Sequence, residues 1–154
     1  MLSPADGAVS AIEYVDAHEA VEGKAVIIRI FLSVLNVHIN RAPCDCTAQK
    51  LIYREGKFLD ARSEESAKVN ESNLIVLDAS GMTFGLRQVS GKLAKRIICP
   101  LTAGDTLKQG QQFGMITLGS TTELILPMDA EPSLNVTKGQ RVKGGITPLA
   151  QIGL

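Results

Sequence analysis

Short apolar and β-branched segments, each closed off by glycine or a polar cluster, recur along the whole chain. They occupy 8–15, 25–32, 49–53, 74–77, 83–89, 92–99, 113–118 and 122–126. Such runs, punctuated at Gly7, Gly23, Gly56 and Ser80-Gly81, suit strands joined by turns. Fourteen glycines can serve those turns. The polar stretch 61–73 has room for a short helix or a surface loop. The expectation is a mainly β, compact single domain spanning 1–154, sandwich- or barrel-like, with at most short helices.

Composition narrows the partners. With 154 residues there is enough chain for one real core and too little for two. Sixteen basic residues balance sixteen acidic ones, and Trp is absent, so neither a cationic field nor a stacking platform points to nucleic acid. Cys44, Cys46 and Cys99 are an odd number, and Cys44-Asp45-Cys46 is too closely spaced for a zinc knuckle. They read as free thiols in a reducing compartment, with no metal. The longest apolar run, 25–37, is interrupted by Arg29 and Asn36. It is shorter than the roughly 20 residues a membrane helix needs, so it reads as a core element. Met1-Leu2 leads straight into Ser3-Pro4-Ala5-Asp6-Gly7 without a signal-type segment. The chain is expected to be cytoplasmic and at most peripheral to a membrane.

Two phrases in the second half resemble each other. Leu101-Thr102-Ala103-Gly104-Asp105-Thr106-Leu107 and Leu134-Asn135-Val136-Thr137-Lys138-Gly139-Gln140-Arg141-Val142 each set a turn glycine before a polar residue, then an apolar anchor three positions on. They suggest two related β corners of the sort found in small lipoyl- or biotinyl-carrying domains.

Chemistry concentrates at Phe113-Gly114-Met115-Ile116-Thr117-Leu118-Gly119-Ser120-Thr121, which reads as a strand ending in Gly-Ser. A Gly-Ser bond suits an N-to-O acyl shift, because glycine permits close approach to its carbonyl and tolerates a strained backbone. Attack by the serine hydroxyl gives an ester. Elimination then gives dehydroalanine, and hydrolysis leaves a pyruvoyl group. Gly-Ser alone is common in turns, so the dipeptide does not by itself establish this chemistry.

The surroundings do more. Leu118-Gly119-Ser120-Thr121 and its flank 113–116 resemble the cleavage motif of phosphatidylserine decarboxylases. Four further blocks agree in order: Pro4-Ala5-Asp6-Gly7; Phe31-Leu32-Ser33 through His38-Ile39-Asn40-Arg41-Ala42-Pro43; the middle block around Gly56-Lys57-Phe58 and Asn70-Glu71-Ser72-Asn73; and 87–99. The resemblance to the family's short members covers nearly the whole chain. It implies self-cleavage between Gly119 and Ser120 into fragments 1–119 and 120–154, with Ser120 supplying a covalent pyruvoyl cofactor. It also implies decarboxylation of phosphatidylserine, or a related serine phospholipid, to the ethanolamine form through a Schiff base, with release of CO2. Asp6 matches the aspartate of a Ser-His-Asp arrangement, and His38 an active-site histidine and candidate acid. Arg41 stands where longer members have a second histidine, and Asn36 where an aspartate is usual. These two residues and Thr121 are supporting candidates. Peripheral membrane contact and a homodimer are implied by the family alone.

Other readings stay open. A pyruvoyl enzyme could act on a soluble amino acid or small amine, and an uncut relative could bind lipid or protein through a β surface. The basic residues Arg87, Lys92, Lys95 and Arg96 fit either lipid phosphates or a solvated face. Tyr53, Phe58 and Phe84 read as core, and His18 as part of a solvated loop.

Overall fold

The computed structural model describes residues 1–92, 96–116 and 119–153. Among these, the strands are β1 (Gly7–Val15), β2 (Ala25–Leu32), β3 (Ile39–Arg41), β4 (Cys46–Arg54), β5 (Ser72–Ala79), β6 (Met82–Val89), β7 (Ile97–Ile98), β8 (Thr106–Leu107), β9 (Gln112–Ile116), β10 (Ser120–Pro127), β11 (Ser133–Leu134), β12 (Arg141–Val142) and β13 (Ala150–Gln151). The stretch 61–73 holds one short helix, α1 (Ser66–Val69). A large antiparallel sheet runs in the order β12-β1-β2-β10-β6-β5-β4-β8, beside a three-stranded sheet β3-β9-β7 and the pair β11-β13. The expected mainly β fold with short helices is therefore what forms. The segment expected at 92–99 keeps only Ile97–Ile98 as strand, and Leu93, Ala94 and Lys95 lie outside the described residues, as do Thr117 and Leu118.

The sheet is buried on both faces near its middle, which explains its continuous apolar runs. Alternation along β2 sends Val26, Ile28, Ile30 and Leu32 to one face, where they meet Leu124 and Leu126 of β10, Phe84 and Leu86 of β6 and Ile75 and Leu77 of β5. The opposite face packs Ala25, Ile27, Leu74, Val76 and Ile125 under Ala20 and Val21. On that second face, further along the strands, Glu123 is buried between Arg29 and Arg87. Arg29 donates to Glu123 Oε2 from Nε at 3.1 Å and from Nη2 at 2.8 Å, while Arg87 Nε donates to Oε1. Arg87 thus balances a buried carboxylate instead of facing lipid.

The two related corners form, and they are equivalent. Gly104 and Gly139 sit at φ +98° and +92°, in the region that favours glycine. Gly104 N–H donates to Ala48 O at 2.7 Å, and Gly139 N–H to Val9 O at 2.7 Å. Leu107 and Val142 then bury their side chains beside β4 and β1. The correspondence extends to the strands these corners embrace. Pro43-Cys44-Asp45 leads into β4 as Pro4-Ala5-Asp6 leads into β1. Asp45 Oδ1 accepts from Gln109 N at 2.8 Å, and Asp6 Oδ1 from Gly144 N at 2.7 Å.

Three sequence readings are corrected by packing. The run 25–37 is core only as far as Leu32; Val34, Leu35 and Val37 are exposed. Phe84 is core, but Tyr53 and Phe58 are exposed, Tyr53 lying on the outer end of β4 with its hydroxyl donating to Glu71. His18 is half-buried, its Nδ1 accepting from Ala20 N at 3.0 Å, and burial followed by the charge of Arg87 lowers its pKa.

Candidate active site

Ser120 opens β10 opposite Leu32 of β2 and is fully buried. Its Oγ has no hydrogen-bond partner, one of two such buried side-chain atoms among the described residues, the other being Glu71 Oε1. An unpartnered buried hydroxyl costs about 1–3 kcal/mol, so such a group is unusual in a settled core. The residue before it, Gly119, is at φ +64°, a left-handed conformation that a side chain would strain.

The Gly119-Ser120 bond is held from two sides. Gly119 N–H donates to His38 Nε2 at 3.2 Å, at the residue preceding Ser120. The Gly119 carbonyl oxygen rests on Gly91, where a Cβ would fall 1.7 Å from it. Only glycine at 91 leaves the carbonyl where it is. Gly119 also lines a cavity of about 470 Å³ with Phe31, Ser33, Val34, Arg62 and Lys92. A larger cavity of about 750 Å³ lies at the far end of β10, lined by Pro127 and Asp129, and does not meet this bond.

Beyond Ser120, the inner face of the sheet turns polar in register. Thr122 of β10 pairs with Gln88 of β6, which pairs with Asn73 of β5. Asn73 Nδ2 donates to Gln88 Oε1 at 3.0 Å, Gln88 Nε2 to Asn40 Oδ1 at 3.0 Å, and Asn40 Nδ2 to Thr122 Oγ1 at 2.9 Å. All four side chains are buried. Asn40 belongs to β3, so this chain of bonds seats the small sheet, and with it His38, over the start of β10. Gly114 of β9 closes the contact, since a Cβ there would lie 2.9 Å from Gln88 Nε2.

The remaining sequence candidates divide. His38 is brought to Gly119, and Thr121 is buried beside it with its hydroxyl donating to Ala61 O at 3.4 Å. Asp6 bonds the backbone of Gly144 and makes no hydrogen bond to His38. Arg41 donates to Gly110 O at 2.9 Å. Asn36 Oδ1 accepts from Ser33 N at 2.8 Å and Ser33 Oγ at 3.0 Å, shaping the loop before β3. At the cavity rim Arg62 hydrogen bonds hold the Asp60 carboxyl down at about 2. Cys44, Cys46 and Cys99 are free thiols; burial pushes Cys99 up, and a shared hydrogen bond lowers Cys44 while raising Cys46.

Residue-by-residue reading had missed Gly91 and the Asn73–Gln88–Asn40 chain. A polar residue at an inward position of an apolar strand was the available signal for Asn73 and Gln88. Gly91 gave none, being one glycine among fourteen.

Comparison with known proteins places the chain among its relatives. The family model for phosphatidylserine decarboxylase matches residues 1–150. A phosphatidylserine decarboxylase proenzyme of Desulfotalea psychrophila is 43% identical over 153 residues, covering 99% of this chain and 71% of the relative. Its counterpart in Carboxydothermus hydrogenoformans is 43% identical over 152 residues, with the same two shares of 99% and 71%. The proenzyme of Wolbachia sp. subsp. Brugia malayi is 40% identical over 157 residues, covering 99% of this chain and 67% of the relative. With the match running from the first corner to β13, the chain belongs to the phosphatidylserine decarboxylase family of carboxy-lyases.

Proposed function

We propose that this chain cuts itself between Gly119 and Ser120, converts Ser120 into a pyruvoyl group, and then decarboxylates phosphatidylserine to phosphatidylethanolamine. The observation that carries the reading is the buried, unpartnered Ser120 Oγ next to a glycine whose amide is bonded to His38 Nε2. An orphaned hydroxyl one residue from the amide that His38 accepts supports an activated serine, the imidazole having to pass from the Gly119 N–H to the hydroxyl.

In the cleavage, the Ser120 hydroxyl attacks the Gly119 carbonyl carbon. The C–N bond breaks in favour of an ester, and His38 takes and returns the proton. Gly91 keeps the carbonyl oxygen in place during attack. Elimination across Cα–Cβ of residue 120 releases the Gly119 carboxylate. Hydration of the resulting enamine, through its imine tautomer, expels ammonia and leaves the keto acid amide. Asp6 enters as support for processing, as the resemblance implies, acting from its tie to Gly144.

In turnover, the pyruvoyl carbonyl supplies an electron sink for a substrate amine whose carboxylate leaves as carbon dioxide. This chain's own residues supply the setting. The strands flanking β10 exclude water from residue 120, Lys92 offers a cation beside the cavity, and His38 holds the proton for the substrate carbon. Intact mass spectrometry of the purified chain beside Ser120→Ala tests the proposal. Fragments 1–119 and 120–154 in the wild type alone, with the second reducible by borohydride, are the expected result. An uncut chain in both samples would move the binding-protein reading forward. Release of carbon dioxide from free serine but not from micellar phosphatidylserine would overturn the lipid substrate.

A further inference from the structure

The run 25–37 starts as core and finishes in water. Ile30 and Leu32 are fully buried, whereas Val34, Leu35 and Val37 are 51%, 92% and 56% exposed. This tip is built rather than frayed. Ser33 N and Oγ both donate to Asn36 Oδ1, Leu35 N donates to Ser33 Oγ at 3.3 Å, and Asn36 N to Ser33 O at 3.0 Å. A closed turn that holds three aliphatic side chains away from the core within five residues concentrates exposed apolar surface at one tip, which suits an interaction site.

Its surroundings say what kind. On one side, Ser33 and Val34 share the cavity of Gly119 with Lys92 and with Arg62, which is paired to Asp60. On the other, Leu35 and Asn36 share a cavity of about 310 Å³ with Arg141. Lys92 and Arg141 are exposed and make no ion pair among the described residues. An apolar tip flanked by two exposed cations, Arg141 on one side and Lys92 near the Arg62-paired Asp60 on the other, matches the layered chemistry of an anionic phospholipid surface, acyl chains beneath and phosphates above. A second protein copy would have to bury the same cations without an anionic partner contributed by this loop.

We propose that the loop from Ser33 to Val37 docks this protein on anionic phospholipid bilayers, inserting Val34, Leu35 and Val37 at the acyl boundary with Lys92 and Arg141 on the headgroup phosphates. The inference rests on the lipid-substrate reading above and adds where the lipid arrives. Val34 and Gly119 line one cavity, so insertion sets the mouth of that cavity at headgroup level, and a lipid amine enters from the bilayer without leaving it.

The chain has no Trp, so Leu35→Trp installs a single reporter at a position 92% exposed. Adding equimolar phosphatidylglycerol–phosphatidylcholine vesicles is expected to shift its emission to the blue, with pure phosphatidylcholine leaving it unmoved. Leu35→Asp is expected to weaken flotation with the same anionic vesicles by about tenfold or more, while fragments 1–119 and 120–154 still form. Unmoved Trp emission, or Leu35→Asp floating like the wild type, overturns the proposal. So does a wild-type dimer that Leu35→Asp dissolves without any vesicle binding, which would make the loop a subunit contact. A wild type that floats but stays uncut removes the decarboxylase reading and leaves the docking intact; one that cuts but does not float does the reverse.

Discussion

At the scale of single residues, the scissile bond is defined by what its neighbours lack. Gly91 lacks a side chain, and a methyl group there would collide with the Gly119 carbonyl oxygen at 1.7 Å. Gly91→Ala is therefore expected to slow self-cleavage at least about tenfold while the thermal midpoint moves only a few degrees. Intact mass over time, with hydroxylamine to trap any ester, reads the cleavage. Ester that accumulates normally in Gly91→Ala would place the fault after the acyl shift. Asp6 and Asp45 offer a matched pair, since each accepts one backbone N–H at an equivalent corner. Alanine at either is expected to cost about 1–2 kcal/mol in denaturant unfolding. Only Asp6→Ala should also slow the cut, and equal cutting by both variants would reduce Asp6 to a corner tie. Around this bond, Gly119, Ser120, Thr121, His38 and Asp6 could be named from the sequence. Gly91 could not, because the surface it touches arrives from a strand nearly thirty residues away.

At the scale of elements, β10 is the piece on which chemistry and stability meet. Its start carries Ser120, its next inward position carries Thr122, and its middle carries Glu123 between two guanidinium groups. Glu123→Ala removes the ion pair of Arg87 and leaves Arg29 only the Glu13 carboxylate at 3.3 Å, and is expected to cost about 3 kcal/mol. Urea unfolding of the Ser120→Ala background checks this without interference from cutting. The strand boundaries of β2 and β1 were readable from alternation and β-branching, because both are flanked by turn signals. β7 is what remains of the longer run 92–99, whereas β8, β11, β12 and β13 were not readable as strands, since two residues carry no periodicity; β8 and β12 are strands because β4 and β1 lie beside them, and β11 and β13 because they pair with each other.

At the scale of the whole molecule, the position of β10 predicts the fate of the cut chain. It is hydrogen-bonded to β2 on one side and β6 on the other, inside the large sheet, and β12, also beyond the cut, pairs with β1. Fragments 1–119 and 120–154 are expected to migrate as one particle in native size exclusion and to separate only in denaturant. Early loss of the short fragment under native conditions would contradict this arrangement. Among the described residues, no helix is long and apolar enough to cross a bilayer.

The linear order of residues determined the mainly β class and the paired corners, and the resemblance carried by its motifs singled out the Gly119-Ser120 bond and His38, its candidate acid. Each of these depends on local periodicity, turn chemistry or a contiguous motif. Tertiary structure alone decided which of the candidates meet. His38 reaches Gly119 through β3, which is seated by Asn40 and Gln88, while Asp6 and Arg41 spend their hydrogen bonds on distant turns. It also decided where the run 25–37 leaves the core. Hydrophobicity along a chain says that a residue would gain from burial, but whether a partner surface exists to bury it depends on strands far away in sequence.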